Sequence, residues 1–576
     1  MKYLTQNWPR KCSGILYFFQ RLEEMLFHYS SDIVRTPIHN TRTLIHEYLY
    51  HEKEMKEGRV KGYQLDQILN ELRESIKNDK VLSDNLSRDF IETIAKELPK
   101  QRGDLVRYLH NKLPEKTYLI WVQKYLINHC SFEGHKDEIE FGLRAWIVEV
   151  ISSGHSPEYV YKYLQSEMGK PTTNAKEKLK LFIEHFSLDK KSFRVYFSFA
   201  PILSDCKTLF SQRLMFSFED DGSFDRFDIR KNDFTGYVDV ESYDRYTAIN
   251  AAFTKIDTFL KYYRVLSNRK NELIRKYCTV QELENHEFFK LPIKSSGYRS
   301  IEVEPKTNIT PTVDLTILAC QAKPKNTSHQ LHKIIELHNQ AIQQHDLNDG
   351  FVNLWSILEI ICADTLGESK IEKVLNGIVP ILQKDYFAAL HGNIDCDLRD
   401  NLSKKDYESL ITQIGNNHPS IDPIAQFIYL PEFEQLRKDF FKDKLQDFPI
   451  IMTKIYRLWK LRENATLVKN LSEKYTQRIK WHIYRLYRTR NAIVHSGDTP
   501  RSIQMLGEHL HIYIDRILLE IIVKLAIEDS LQTFSDVLID TKLSLQRTLA
   551  ILSNPEPISE DTLIAMQESY FYQSGK

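Results

Sequence analysis

Apolar side chains recur at helical spacing through most of the first 190 residues of this chain. Residues 141–151 are amphipathic in this way, and over residues 63–76 one helical stripe collects Leu65, Ile68, Leu69 and Leu72. Short polar links separate these segments, and we find no internal repeat of fixed period. Residues 1–190 are therefore predicted to form a helical amino-terminal domain.

The pattern changes near residue 190 to the period of a β-strand. One face of an extended segment over 193–199 collects Phe193, Val195, Phe197 and Phe199. A second strand is predicted at 214–218, a turn at 220–222, where two aspartates precede a glycine, and a third strand at 224–229. The last two strands and their turn form a hairpin pattern.

Weaker strand patterns follow at 237–240, 301–303 and 313–318. A long helix from about 246 to 277 is predicted among them. Residues 191–328 are therefore expected to form a small α+β domain between two helical regions.

The helical period returns at about residue 328. One face of a strong helix collects Phe351, Leu354, Trp355, Leu358, Ile361 and Cys362. A second helix over 371–382 is expected to kink or end at Pro380. Residues 385–450 look irregular and polar, and we predict an insertion around 385–470. Two long helices, about 472–496 and 502–530, complete a domain over 329–550, and 551–576 form a tail.

Length and charge limit the class of protein. A chain of 576 residues is too long for one hydrophobic core, so about three domains are expected. Gly and Pro number only 19 each, which favours a mainly α fold. Lys and Arg together balance Asp and Glu at 78 each, so binding of nucleic acid would require a local basic patch.

The seven cysteines are scattered and form no CxxC pair, which is typical of reduced thiols in the cytoplasm. No apolar run approaches the eighteen or so residues of a membrane span, and the first residues do not resemble an export signal. We therefore expect a cytoplasmic protein without a membrane partner.

Arg490 interrupts an apolar stripe on the predicted helix over 472–496. The stripe contains Ile479, Ile483, Leu486, Arg490 and Ile493. A guanidinium is permanently charged and costly to bury without an anion, so two explanations stay open. Either a carboxylate pairs with Arg490, or this face of the helix binds an anionic ligand.

His495 follows five residues later, beside Gly497, where a left-handed cap is expected to end the helix. Five residues correspond to about 140° of rotation, so Arg490 and His495 do not share a face of an ideal helix. They would converge if the helix end were distorted, or if two copies met across a two-fold axis. We favour the second arrangement, because symmetry brings two copies of each group to one cleft.

Local charge supports an anionic ligand. Residues 451–501 contain twelve Lys and Arg side chains and only three carboxylates, which gives a local charge of +9. Trp481, Tyr484 and Tyr487 lie among them and would stack on unpaired bases. The alternative is that the charge run is simply a solvated helix face.

Residues 490–495, with Asn491 after the arginine, resemble the R-x4-6-H motif of HEPN domains. The longer segment 488–497 is similar to the Apea-like subgroup of that family. So is the F-x-x-L-W-x-x-L-E segment over 351–359, which is followed by Ser369 and Lys370. The resemblance covers about 330–550, and the stretch 243–277 also looks like the helix that precedes the HEPN domain in this subgroup.

This resemblance implies a carboxy-terminal helical bundle that dimerises and cleaves RNA without a metal or cofactor. The 2′-hydroxyl attacks the adjacent phosphorus, leaving a 2′,3′-cyclic phosphate and a 5′-hydroxyl. His495 would carry the proton, Arg490 would bind the scissile phosphate, and Asn491 would orient substrate or His495. Glu359 would pair with Arg490 or position His495; a purely structural role for Glu359 is the open alternative.

The predicted substrate-binding residues are Lys480, Trp481, Arg485, Tyr487 and Arg488. The expected substrate is RNA, because DNA has no 2′-hydroxyl. Among RNAs, tRNA is the first hypothesis. The implied role is that of an effector or toxin in defence against phage. An antitoxin or residues 1–330 would then restrain the nuclease, or it would stay inactive until a phage-derived activator binds.

Other motifs were weighed and discarded. Residues 46–51 place two histidines five apart, which is one more than a zincin helix allows. His509 and His511 lie about 200° apart on a helix, and Gly169–Lys170 lacks the glycine of a phosphate loop. Two alternatives to the nuclease stay open: a non-catalytic HEPN protein that binds a nucleotide or partner, and a helical scaffold or adaptor.

Overall fold

The structure is a computed structural model, and the protein is mainly α with a small antiparallel sheet in its central region. The residues that it describes are 1–4, 12–27, 30, 35, 37–58, 61–132, 134–170, 174–218, 233–267, 273–293, 310–343, 346–415, 418–497, 499–500 and 502–567. The chain divides into two compact units. The first contains Met1–Val148, Pro171–Leu179 and Gly297–Lys576, and the second Glu149–Lys170 and Lys180–Ser296.

The amino-terminal region is helical, as predicted. Its helices are α1 (Ser13–Leu26), α2 (Thr41–Lys56), α3 (Gly62–Asn78), α4 (Lys80–Asn85), α5 (Arg88–Glu97), α6 (Arg102–Lys112), α7 (Glu115–His129), α8 (Lys136–Ser153), α9 (Pro157–Met168) and α10 (Ala175–His185). The start of α2 is fixed by a capping box, in which the Asn40 side chain accepts from the Thr43 amide. The stripe predicted over 63–76 is buried on α3.

The sheet lies in the second unit. In chain order its region contains β1 (Lys191–Phe199), α11 (Lys207–Leu214), β2 (Ser217–Phe218), β3 (Phe234–Ser242), α12 (Arg245–Ser267), β4 (Ile274–Glu282) and β5 (Glu287–Pro292). The strands are antiparallel in the order β2-β3-β1-β4-β5, with Phe197 of β1 opposite Gly236 and Cys278. The predicted apolar face of β1 is buried in a core that also contains Ile249, Ala252 and Ile256 of α12.

Several predictions for the central region are corrected. The helix expected over 246–277 ends at Ser267, because residues 274–277 belong to β4, which pairs with β1. The strand expected over 313–318 is wrong, since these residues lie in α13 (Thr310–Ala322). In a six-residue segment β-branched side chains are a weak guide, and tertiary context decides between helix and strand.

The strand expected over 214–218 shrinks to Ser217–Phe218, because helix α11 reaches Leu214. The strand at 237–240 is confirmed within β3. The predicted turn at 220–222 and the strands at 224–229 and 301–303 lie outside the described residues.

The carboxy-terminal region is helical almost throughout. After α13 come α14 (Lys325–Gln343), α15 (Leu347–Ile361), α16 (Lys370–Asn401), α17 (Lys404–Ile414), α18 (Pro423–Tyr429), α19 (Glu434–Asp443), α20 (Pro449–Trp459), α21 (Ala465–Ser496), α22 (Ile503–Ile527), α23 (Phe534–Ile551) and α24 (Glu560–Gln567). None of the helices in the described part of the chain is long and apolar enough to cross a membrane.

The irregular structure expected over 385–450 is wrong, whereas the insertion expected around 385–470 stays a prediction. Helix α16 continues through Pro380 to Asn401, and the next four helices occupy most of the remaining residues. Ile378, Val379 and Ile381 are buried around the proline, so packing outweighs the roughly 3 kcal/mol that a proline costs inside a helix. The later helices bury only narrow stripes, such as Leu410 and Ile414 on α17, which made their pattern look irregular.

Helices from both ends of the sequence share the first unit. Lys454 of α20 forms ion pairs with Glu24 of α1 and Asp397 of α16. The Tyr3 hydroxyl donates to the same Asp397 carboxylate at 2.9 Å. The domain boundaries predicted at 190, 328 and 550 stay predictions.

Candidate active site

Helix α21 carries the segment over 490–495, and its two ends are fixed by local chemistry. At the start, the Asn464 side chain accepts a hydrogen bond from the Thr466 amide at 2.9 Å. At the end, Gly497 has φ of +70°, and its amide donates to the Ile493 carbonyl at 3.2 Å. The left-handed glycine cap expected from the sequence is confirmed.

Arg490 lies at the end of a buried ridge on this helix. Ile479, Ile483 and Leu486 are fully or almost fully buried, whereas the Arg490 side chain is 20 % exposed. A partly buried guanidinium therefore continues the line of three packed aliphatic side chains. The position predicted to be unusual from the sequence is unusual in the structure.

The Arg490 guanidinium is only loosely compensated. Its Nη2 lies 3.9 Å from Glu359 Oε1, and its Nη1 donates to Asn491 Oδ1 at 3.3 Å. Its Nε is buried and has no hydrogen-bond partner among the described residues. Because the paired hydrogen bonds of an arginine–carboxylate contact are absent here, the donors of Arg490 stay available to an anion.

Glu359 is held in place by a hydrogen bond from its own helix and by a lysine at the start of α16. The indole Nε1 of Trp355 donates to Glu359 Oε1 at 3.1 Å, and Lys370 Nζ lies 3.9 Å from Oε2. The Trp355 ring packs against Tyr487 of α21, with 5.7 Å between ring centroids. These contacts bring Glu359, Arg490 and Asn491 together, as the sequence predicted for the helix over 351–359.

An open cleft of about 410 Å³ lies beside Glu359. Helix α14 contributes His329 and Lys333 to its wall, and α15 contributes Ser356 and Glu359. The sequence analysis missed His329 and Lys333. Their i, i+4 spacing on one helix was the available signal, although many surface residues show that spacing.

His495 is exposed in the last turn of α21. It forms no hydrogen bond or ion pair with another described residue, and the helix remains α-helical through Ser496. Without distortion, five residues still mean about 140° between His495 and Arg490. Within one chain, therefore, the helix presents the two side chains in different directions.

Arg485 and Arg488 are not placed to contact RNA, which corrects their assignment as substrate-binding residues. Both are buried, with Arg485 paired to Glu47 and Glu71 at 3.0 and 2.6 Å and Arg488 paired to Glu47 at 2.7 Å. Leaving such a buried charge unpaired costs about 3–5 kcal/mol. The local charge of +9 was counted without carboxylates from distant parts of the sequence.

The pKa values of Glu47 and Glu71, which pair with arginines of α21, reflect both burial and this pairing. Burial would raise the pKa of Glu47, but Arg485 and Arg488 outweigh it and hold that pKa well below its ordinary value. Burial raises the pKa of Glu71, even though Arg485 acts in the opposite direction. The cations on this face of α21 bind the helix to α2 and α3.

The other predicted substrate-binding residues are placed differently. Lys480 is exposed, whereas Trp481 and Tyr487 are half-buried. Tyr487 packs against Trp355, and the Trp481 Nε1 is buried without a partner among the described residues. Of the five predicted substrate-binding residues, Lys480 alone is exposed.

A polar cavity of about 150 Å³ lies against the same helix. Arg478, His482 and Arg485 line it from α21, at positions i, i+4 and i+7 of one face. The His482 Nδ1 and the Tyr513 hydroxyl are 2.8 Å apart, and burial holds the pKa of His482 well below its ordinary value. The sequence analysis missed this cavity, although the spacing of its three α21 residues was visible.

Comparison of the chain with protein-family models, with curated proteins and with solved structures found no match.

Proposed function

We propose that this protein is a metal-independent HEPN-type endoribonuclease with Arg490, Asn491, His495 and Glu359 in its active site. One observation carries the proposal: a half-buried arginine on an apolar ridge whose nearest carboxylate lies 3.9 Å away. A structural arginine in that position would be expected to form a close bidentate pair. Arg490 instead keeps donors available for the oxygens of a phosphate.

His495 is suited to proton transfer because it is exposed and forms no hydrogen bond with another described residue. Imidazole exchanges protons near neutral pH, so it accepts the proton of the RNA 2′-hydroxyl. The 2′-oxygen forms a bond to the adjacent phosphorus, and the bond from phosphorus to the 5′-oxygen breaks. The departing 5′-oxygen takes a proton from solvent water and the His495 imidazolium returns its proton to solvent, which leaves a 2′,3′-cyclic phosphate and a 5′-hydroxyl.

Arg490 contributes by charge. Negative charge accumulates on the non-bridging phosphate oxygens as the pentacoordinate state forms, and a fixed guanidinium stabilises it. Asn491 accepts a hydrogen bond from Arg490 and limits its orientation. Glu359 keeps Arg490 in place before substrate binds, while Trp355 holds Glu359.

A homodimer explains the different directions of Arg490 and His495. Two copies of α21 related by a two-fold axis would place Arg490 of one protomer beside His495 of the other. The dimer would contain two such composite sites, related by the same axis.

RNA is the proposed substrate class, with tRNA the first member to test. The proposed role is a cytoplasmic effector or toxin in defence against phage, restrained by an antitoxin or released by a phage-derived activator. These statements rest on the resemblance of residues 351–359 and 488–497 to the Apea-like HEPN subgroup.

The test is cleavage of total RNA in EDTA by the full-length protein, compared with His495→Ala. His332→Ala is the control, since His332 is an exposed histidine on α14. We expect cleavage by wild type and control, and none by His495→Ala. Equal cleavage by all three preparations would contradict the proposal. So would a wild type that neither cleaves RNA nor inhibits growth on expression more than His495→Ala.

A second candidate is a non-catalytic protein in which the same helices bind a nucleotide or a partner, or act as a scaffold. The pairing of Arg485 and Arg488 with carboxylates of α2 and α3 favours it, because internal contacts use these cations. Binding of a nucleotide or partner without cleavage, unchanged in His495→Ala, would support this candidate.

A further inference from the structure

Helices α14 and α22 bring three metal-ligating side chains together. His338 lies on α14, and His511 and Asp515 lie one turn apart on α22. One ligand atom of each residue lies within 4.8 Å of the other two. His338 is nine residues after His329, about 13 Å further along α14, so this cluster is separate from the cleft beside Glu359.

The distances in this cluster suit a shared ion. His338 Nε2 lies 2.9 Å from Asp515 Oδ1, and His511 Nδ1 lies 3.6 Å from Asp515 Oδ2. Ligands around a tetrahedral zinc ion, each about 2.0–2.2 Å from the metal, are about 3.3 Å apart. The two distances to Asp515 lie on either side of that value.

The arrangement on the two helices is also suited to binding. An i, i+4 pair presents both ligands on one face of α22, and the third ligand arrives from the neighbouring helix. The imidazole rings of His338 and His511 are stacked, with 5.1 Å between centroids and 20° between planes. The two rings therefore lie next to each other, and one nitrogen of each ring lies near the Asp515 carboxylate.

Exposure and charge are compatible with a metal that retains bound water. The His511 side chain is 8 % exposed, whereas the Asp515 side chain is 49 % exposed, so the cluster opens to solvent on the carboxylate side. The nearby cation Arg35 is paired with Glu508 at 2.9 Å.

We propose that His338, His511 and Asp515 bind one divalent transition-metal ion, for which zinc is the probe, and that the ion fastens α14 to α22. Two imidazoles and one carboxylate are a donor set for zinc and similar ions, and not for magnesium or calcium. The ion would stabilise the folded protein and take no part in RNA cleavage.

The first test is zinc binding to the full-length protein after removal of metals, measured by isothermal titration calorimetry. We expect one high-affinity site per chain in wild type, its loss in His338→Ala and His511→Ala, and weaker binding in Asp515→Asn. His332→Ala is the matched control, because His332 lies on α14 outside the cluster. Absence of such a site in wild type, or a site equally present in His338→Ala, would overturn the proposal.

The second test is thermal unfolding with zinc, magnesium and no added metal. An ion that binds only the folded state raises Tm, so zinc at 100 times its Kd is expected to add about 2.7 kcal/mol of stability. Magnesium should have no such effect, and His511→Ala should respond to neither ion. If His511→Ala fails to fold, Asp515→Asn serves as the variant, since Asp515 is exposed. Equal zinc shifts in wild type and Asp515→Asn would contradict the proposal.

These measurements do not depend on nuclease activity. The metal site fails if zinc does not bind, whatever the protein does to RNA. The proposed nuclease fails if no RNA is cleaved in EDTA, whatever zinc does to Tm.

Discussion

At the scale of single residues, the Arg490 guanidinium is only loosely compensated. Arg485, one helical turn and a half earlier, is buried between two carboxylates, whereas Arg490 has one at 3.9 Å. The same residue type on one helix is thus closely paired at one position and loosely paired at the other. Position relative to α2 and α3 decides which arginine is structural and which is available to a ligand.

Arg490→Lys should separate shape from charge at this position. Lysine keeps the positive charge but loses the planar fork that binds two phosphate oxygens at once. We expect the single-turnover cleavage rate to fall by about 10²–10³-fold, as when one group that stabilises the transition-state charge is removed. Arg88→Lys, at a highly exposed position of α5, is the control. A rate within threefold of wild type would exclude the proposed role.

The sequence identified Arg490 and Glu359 as neighbours because each belongs to a recognisable helical pattern. It misassigned Arg485 and Arg488 because their partner Glu47 precedes them by more than 400 residues. Local charge counts omit such pairing. Buried ion pairs between distant segments are therefore where reasoning from the sequence is weakest.

At the scale of elements, the contact of α2 with α21 depends on Glu47. This carboxylate accepts hydrogen bonds from both Arg485 and Arg488. Glu47→Gln would leave Arg488 without a charged partner and should lower the free energy of unfolding by about 3–5 kcal/mol, measured by urea denaturation. Glu92→Gln, which breaks the exposed pair with Arg88, should cost less than about 1 kcal/mol. Equal effects of the two substitutions would contradict a structural role for the pairing of Glu47 with Arg485 and Arg488.

His418 connects two acidic side chains and should make α24 sensitive to pH. Its ring nitrogens lie 3.0 Å from Glu432 and 3.0 Å from Glu560, and hydrogen bonding to Glu432 raises the pKa of His418. A raised folded-state pKa gives stability that is fully present below about pH 6.5 and is lost as the pH rises through the folded value.

The measurement is the free energy of unfolding of wild type and His418→Gln at pH 6 and pH 8. The difference between the two proteins should be larger at pH 6, by less than about 1 kcal/mol because the pair is largely solvated. A difference that grows towards pH 8 would contradict this account.

The helices and strands show where the periodicity of apolar residues predicts the secondary structure correctly. It located α3, α15, α21 and α22, whose apolar faces are broad, and the alternation over 193–199 located β1. It did not predict that α16 continues past Pro380 to Asn401, where burial on both sides outweighs the local preference of proline. It also failed at residues 274–277, where pairing with β1 sets the conformation. Long-range contacts therefore determine the backbone conformation at both places.

At the scale of the whole molecule, the proposed reaction requires two copies of the chain. One α21 helix cannot direct Arg490 and His495 to the same phosphate while it remains regular through Ser496. Mixing Arg490→Ala with His495→Ala should therefore restore activity that neither variant has alone. Half of randomly exchanged dimers are mixed, and one of their two sites is intact, so about a quarter of the wild-type rate is expected.

The control for this mixing experiment is the double variant Arg490→Ala/His495→Ala mixed with either single variant. Neither mixture contains an intact composite site, so both should stay inactive. If subunits demonstrably exchange and the two single variants still do not complement each other, each site lies within one protomer.

The most direct measurement uses an RNA oligonucleotide with a single 2′-deoxy nucleotide placed immediately 5′ of the mapped cut. If the 2′-hydroxyl is the nucleophile, the full-length protein in EDTA leaves this bond intact. It cleaves the all-ribose oligonucleotide to 2′,3′-cyclic phosphate and 5′-hydroxyl ends. Cleavage of the 2′-deoxy bond at the normal rate, or products with 5′-phosphate ends, would contradict the proposed reaction.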